Sequence, residues 1–176
     1  MKKATLAGGC FWCTEAVFKD LIGVEDVQPG FMGGHVERPS YQEVCAGGTG
    51  HAEVAHFSYD PALISFSDIL DVFFTMHDPT QINRQGNDVG EHYRSAVFFY
   101  DAEQERDAHA AAKRAADIWD GTVVTQIVPA GPFWAAENYH VDYFANNPDQ
   151  PYCAAVVAPK VAKARKMWAS KMKPKG

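Results

Sequence analysis

The stretch "KATLAGGCFWCTEAVFKDLIG", Lys3 to Gly23, changes character halfway along. "KATLA" reads as a short strand. From Trp12 to Ile22 the spacing of Cys13, Val17 and Leu21 puts them on one helical face, and Gly23 is placed to stop the helix. Between the two lie Gly8, Gly9 and Cys10. A strand running into a helix sets Cys10 at the helix N-terminus, where free backbone N–H groups and partial positive charge favour a thiolate. The two glycines permit an unusual turn and close approach of another molecule. A lone cysteine is most often a small buried hydrophobe, and Phe11 and Trp12 taken alone read as core residues. Beside a thiol at a helix start they can equally wall an apolar subsite.

Outward from this segment, elements alternate in type. "AEVAHFSY" (52–59) is rich in strand formers, and Ser65 and Asp68 can cap a helix with a face of Phe66, Ile69, Leu70, Phe73 and Phe74, ending before Pro79. "SAVFFY" (95–100) is another strand. Asp101 and Gln104 resemble a capping box opening an alanine-rich helix to Trp119, "TVVTQIV" (122–128) returns as a strand, and the last helix starts at Pro159. The order predicts an α/β (α+β) protein: a two-layer sandwich of helices on a mixed, mainly antiparallel sheet, with a ferredoxin-like core and long loops. The expected organisation is a single catalytic domain over 1–176 with a basic C-terminal helix at about 159–173. Gly30–Glu53 and His77–Ser95 read as loops, and loops of that length are more often functional than decorative.

Composition narrows the function classes. With 47% hydrophobic and 22% charged residues the chain is ordinary for a globular domain, and no apolar run approaches the roughly 20 residues of a membrane span. The start "MKKATLAGG" lacks the apolar core of a signal peptide, so a cytoplasmic location is expected. A net charge of −6 argues against a general nucleic-acid binder, despite the basic tail. The four cysteines are not expected to form a structural disulfide framework in a reducing compartment. Only Cys10 and Cys13 form a C-x-x-C pair, which disfavours structural zinc, and "GHAEVAH" (His51, Glu53, His56) lacks the spacing of a zinc protease.

Four segments then settle the resemblance: "GGCFWC", "GFMGGHVERPSYQEVCAGGTGHAEV", "QGNDVGEHYRS" and "ENYHVDYFANNPDQPYC". In order and spacing the chain resembles, over nearly its whole length, the A-type peptide methionine sulfoxide reductases, which restore oxidised methionine with one enzyme type per sulfoxide epimer, here implying the S epimer. The resemblance implies Cys10 as nucleophile, Phe11 and Trp12 as the pocket for the substrate's terminal methyl, Glu53 as acid, and Tyr41, Tyr93 and Asp88 completing the site. These residue types suit the chemistry. A sulfoxide sulfur is a poor electrophile until its oxygen gains a proton or strong hydrogen bonds, so a thiolate needs a donor beside it. It also implies thioredoxin as reductant, free or protein-bound methionine sulfoxide as substrate, a monomer, and no metal or organic cofactor.

Three departures stand out against the resemblance. Phe31 occupies a position where many relatives have tyrosine, His92 one where glutamine is frequent, and a basic helix replaces a glycine-rich tail carrying a further recycling cysteine. The thiol that resolves the Cys10 sulfenic acid is left open. Cys153 resembles the resolving position of relatives that lack Cys13 and is slightly preferred; Cys13, one helical turn from Cys10, is close behind; Cys45 reads as a structural thiol. Two other functions compete: a thiol-disulfide oxidoreductase using Cys10 and Cys13, and a non-catalytic module that captures methionine-containing peptides.

Overall fold

The computed structural model describes residues 1–174. The chain opens on β1 (Lys2–Gly8), whose inward residues Ala4 and Leu6 are fully buried. Gly9 turns the chain with φ +93°, a left-handed conformation that a side chain at this position would strain. α1 (Phe11–Phe18) follows at once, and its end comes earlier than the apolar spacing predicts. Beyond Phe18 the amides of Asp20 and Leu21 reach back only three residues, to Val17 and Phe18, so the helix tightens and stops ahead of Gly23.

β2 (Val24–Met32) then runs antiparallel to β3 (Ala52–Tyr59) and is irregular between Glu25 and Gln28. The stretch expected as one long loop therefore starts as strand. It also contains a short helix, α2 (Tyr41–Ala46), opened by a reciprocal capping box between Ser40 and Glu43. The S-x-x-E signature at 40–43 marks this helix start, and reading the whole segment as a loop passed over it.

α3 (Phe66–Met76) begins at Ser65, whose hydroxyl accepts from the Asp68 amide as expected. A small hairpin, β4 (Arg84–Gln85) and β5 (Asp88–Val89), and a 3₁₀ turn at Glu91–Tyr93 lead into β6 (Ser95–Phe99). α4 (Ala102–Ile118) is capped by Asp101, which accepts from the Gln104 amide. The predicted capping box is incomplete, because the Gln104 side chain accepts from the Tyr100 amide and donates to the Lys3 carbonyl instead. β7 (Gln126–Pro129) and β8 (Trp134–Ala135) complete the strands. A 3₁₀ turn at Asn138–His140 and the short α5 (Tyr143–Asn146) precede a π-helical turn at Cys153–Val157, which feeds into α6 (Ala158–Met167).

The main sheet has the order β7-β6-β1-β3-β2-β8, with every neighbouring pair antiparallel except the parallel β6–β7 edge. Strands β6-β1-β3-β2 form the ferredoxin-like core, crossed by α1 and α3. The larger apolar core lies between one sheet face and the helices, joining Leu6, Phe57 and Tyr59 to Val17 and Phe18 of α1, Phe73 of α3 and Val157. Small residues Ala108, Ala111 and Ala115 let α4 pack close in the same layer. This layering brings the start of α1 over the end of β3 that carries Glu53. Among the described residues no helix is long and apolar enough to cross a membrane.

Candidate active site

Cys10 is the N-cap residue of α1. Its carbonyl accepts from the amides of Cys13 and Thr14 at 3.0 and 3.4 Å, which fixes the backbone and leaves the thiol free of any capping role. The residue is 7% exposed. Burial pushes the Cys10 thiol well above its ordinary range, and the neighbouring Cys13 sulfur adds to the shift. The Cys10 hydrogen bond in turn lowers Cys13, with the positive charge of Lys160 on α6 acting in the same direction. The two shifts run in opposite directions, up at Cys10 and down at Cys13. The basic C-terminal helix supplies part of the field that lowers Cys13.

Glu53 stands on β3 directly opposite Phe31 of β2. It is buried, and its Oε1 accepts from the Phe11 amide, one residue beyond Cys10, at 3.1 Å. The second oxygen, Oε2, has no hydrogen-bond partner. Burial drives the carboxyl up to about 8, against the lowering effect of the Phe11 amide and with further upward pressure from Asp88 and Cys13. At neutral pH Glu53 therefore carries a proton. An unpartnered carboxyl oxygen beside a thiol at a helix N-terminus has the form of a proton donor waiting for an acceptor.

Two tyrosines and an aspartate stand around it. Tyr41 opens α2 and Tyr93 closes the turn before β6; burial pushes both phenols strongly up, with the Glu53 charge next in each case. Both are therefore hydrogen-bond donors at any working pH. Asp88 on β5 accepts from the Tyr152 hydroxyl at 2.5 Å.

Phe11 and Trp12 form an aromatic enclosure. Phe11 packs against Phe31, Tyr41 and His140, with centroids 5.7, 5.9 and 5.0 Å away. Trp12 stacks on Tyr143 at 3.9 Å and meets Tyr152 edge-on. Its indole N–H donates to His140 Nδ1 at 3.0 Å, which makes His140 Nε2 the protonated nitrogen of a neutral ring. The substitution of Phe31 for tyrosine is consistent with this packing, since its ring is fully buried and needs no hydroxyl partner.

The site residues proposed from sequence thus gather from five elements, and His140, Tyr143 and Tyr152 join them. Sequence reasoning missed these three although "ENYHVDYF" and "PYC" carried them. An isolated aromatic gives no sign of which distant ring it will meet. A strap of chain holds them in place: both oxygens of Glu15, on α1, accept from the Asp142 amide at 3.0 Å, and Lys19 pairs with the Asp142 carboxylate.

The four thiols are free. Cys13 is hydrogen-bonded to Cys10, and Cys153, fully buried at the start of the π turn, lies within electrostatic reach of Cys13. Cys45, on the exposed side of α2, is not an isolated loop thiol: it lies beside the Tyr41 hydroxyl and close to Glu53 and His92. His92 is buried, and burial lowers it, so the imidazole is neutral near pH 7.

Comparison with known proteins points the same way. Residues 2–172 match the family model for peptide methionine sulfoxide reductase. The chain is 55% identical over 169 residues to the peptide methionine sulfoxide reductase MsrA of Clavibacter michiganensis subsp. michiganensis, covering 96% of this chain and 97% of that one. Among solved structures, Mxr1 from Saccharomyces cerevisiae in reduced form is similar at 34% identity with a TM-score of 0.79, over 86% of this chain and 88% of that one. Mxr1 in complex with Trx2 is similar at 25% identity with a TM-score of 0.56, over 80% and 84%. With the Cys10 thiol, the buried Glu53 carboxyl and the aromatic enclosure in one place, the chain belongs to the peptide methionine sulfoxide reductase family.

Proposed function

We propose that this protein reduces the S epimer of methionine sulfoxide, free or in proteins, using Cys10 as nucleophile and Glu53 as acid. The observation that carries the reading is the buried, protonated Glu53 with one oxygen held by the Phe11 amide and the other unpartnered. A sulfoxide oxygen placed against Oε2 takes the proton as the Cys10 sulfur attacks the sulfoxide sulfur, while Tyr41 and Tyr93 donate hydrogen bonds to the same oxygen. The substrate methyl sits in the aromatic enclosure of Phe11 and Trp12. The new bond between the two sulfurs and the sulfur–oxygen bond then both break as the hydroxyl passes to the Cys10 sulfur, releasing the thioether and leaving Cys10 as a sulfenic acid. The sulfoxide has gained two electrons and Cys10 has lost them; the proton that Cys10 gives up recharges Glu53.

Cys13 then condenses with the sulfenic acid, releasing water and closing a Cys10–Cys13 disulfide. Its hydrogen bond to Cys10 and its lowered thiol support this order. Cys153 attacks the Cys13 sulfur next, freeing Cys10 and moving the disulfide to Cys13–Cys153. Thioredoxin reduces that bond; the yeast relative solved with Trx2 supports such a partner. The protein works as a monomer in the cytoplasm, where thioredoxin is kept reduced, and neither organic cofactor nor metal takes part in the reaction.

The test is to incubate the pure, chelator-treated protein with each sulfoxide epimer and with thioredoxin and its reductase. Conversion of the S epimer alone to methionine is expected. Disulfide exchange without methionine would make it an oxidoreductase instead, and binding without either would make it a capture module.

A further inference from the structure

The pocket that holds the acid is also a set of metal ligands. The Cys45 thiol, a Glu53 carboxylate oxygen and an imidazole nitrogen of His92 all lie within 4.8 Å of one another. Three separate elements supply them: α2, β3 and the turn before β6. Ligands of one tetrahedral zinc ion stand roughly 3.3–3.7 Å apart, given metal–ligand bonds of about 2.0–2.3 Å, so closing the triad takes on the order of 1 Å of side-chain movement. Two features prepare it. Glu53 is 1% exposed and its Oε2 has no partner, so a buried polar atom already lacks something to bind. Gly90, at φ +145°, leaves space for the His92 ring: a side chain there would come within 2.6 Å of it, while Tyr93 packs against the ring at 3.9 Å.

We propose that Cys45, Glu53 and His92 form a reversible, inhibitory site for a zinc-class divalent cation. Thiolate, imidazole and carboxylate together suit borderline-soft zinc better than magnesium or calcium, which take oxygen ligands. Inhibition follows from exclusion: a carboxylate that ligates a cation cannot hold the proton for the sulfoxide oxygen, and the metal displaces it to solvent. That consequence rests on Glu53 being the acid; binding does not.

Binding is read by titrating the reduced, thiol-free protein anaerobically with Co(II), whose bound form shows a thiolate-to-cobalt charge-transfer band and intense tetrahedral ligand-field bands. One equivalent is expected to bind, to be displaced by Zn(II), and to bind at least ~10-fold more weakly in Cys45→Ser and in His92→Gln. Inhibition is read by single-turnover methionine formation without added thiol: zinc should suppress it in the wild type, EDTA should restore it, and either variant should shift the zinc dependence by the same factor as cobalt binding. Survival of the charge-transfer band in both variants, with its loss in Cys13→Ser, would place the metal on the Cys10–Cys13 pair and overturn the site. An unchanged or faster single turnover with the site filled would overturn the inhibitory role. Glu53→Gln with an undiminished metal-free rate would instead overturn the acid assignment and leave the site standing.

Discussion

At Cys10 and Glu53 the chain places a thiol and a carboxyl where neither is charged at rest. Cys10→Ser should abolish methionine formation, because a serine hydroxyl is scarcely ionised near neutral pH and lacks sulfur nucleophilicity. Measurable turnover by that variant would remove Cys10 from its role. Glu53→Gln preserves size and the contact with the Phe11 amide but removes the proton, so the oxygen-transfer rate should fall by about 10²–10⁴ with little change in substrate affinity. The wild-type rate should decline as pH rises through about 8, the value to which burial drives Glu53, and the Gln variant should lose that limb. The same shift bears on stability. The native state holds the Glu53 proton more tightly than an unfolded chain with an ordinary value of 4.5, so this group's contribution is largest below about pH 4.5 and is lost as pH rises through about 8. Chemical denaturation of wild type and Glu53→Gln at pH 5 and pH 9 checks the sign, since the difference between the two proteins should change in that direction.

Among the elements, α1 carries most of the function. One end presents Cys10 and the Phe11 amide; one turn along its side, Glu15 grips the strap that delivers His140 and Tyr143. Glu15→Ala should leave the nucleophile in place and loosen the strap. Removing the acceptor of this half-buried amide costs about 1 kcal/mol, so KM should rise several-fold with kcat changed far less. A fall in kcat at constant KM would show that the strap does not hold the enclosure. How much of this was legible depends on range. The strand-to-helix junction at Cys10, β3, β6, the Ser65 cap and the length of α4 follow from local periodicity and capping chemistry, and the structure has them. β2 and α2 did not show, because Gly30, Gly33, Gly34, Pro39, Gly47 and Gly48 read as loop punctuation. Gly30 is in fact a strand residue, and a side chain there would strike Phe133 and the Trp134 carbonyl of β8. Close packing against a strand a hundred residues away selects glycine, and no local pattern announces it. Cys10, Glu53, Phe11 and Trp12 were identified through resemblance; their mutual contacts, and the approach of Cys45 and His92 to Glu53, are products of the folded sheet.

Across the whole molecule, Cys10, Cys13 and Cys153 are buried in one core cluster, and the relay proposed for them can be followed in time. Oxidation with one equivalent of substrate and rapid acid quenching should trap Cys10–Cys13 first and Cys13–Cys153 later by mass mapping. In Cys153→Ser one methionine per enzyme should still form, and in Cys13→Ser the sulfenic acid should persist long enough to be captured by a dimedone-type reagent. A direct Cys10–Cys153 bridge as the earliest product would defeat the relay.

The end of the described chain is clasped to the segment that follows α1. After α6 the chain returns to the far end of α1: Leu21 bridges Met172, the Ile22 amide donates to the Lys171 carbonyl at 2.8 Å, and the Lys173 amide donates to the Asp20 carbonyl. Arg165 pairs with Asp20, and the Lys173 ammonium reaches the carbonyls of Lys19 and Val24. Opening one side of this clasp exposes the other, so the two segments form one cooperative unit. In hydrogen–deuterium exchange the amides of Ile22 and Lys173 should therefore open together with a common protection factor, despite lying 151 positions apart in the chain.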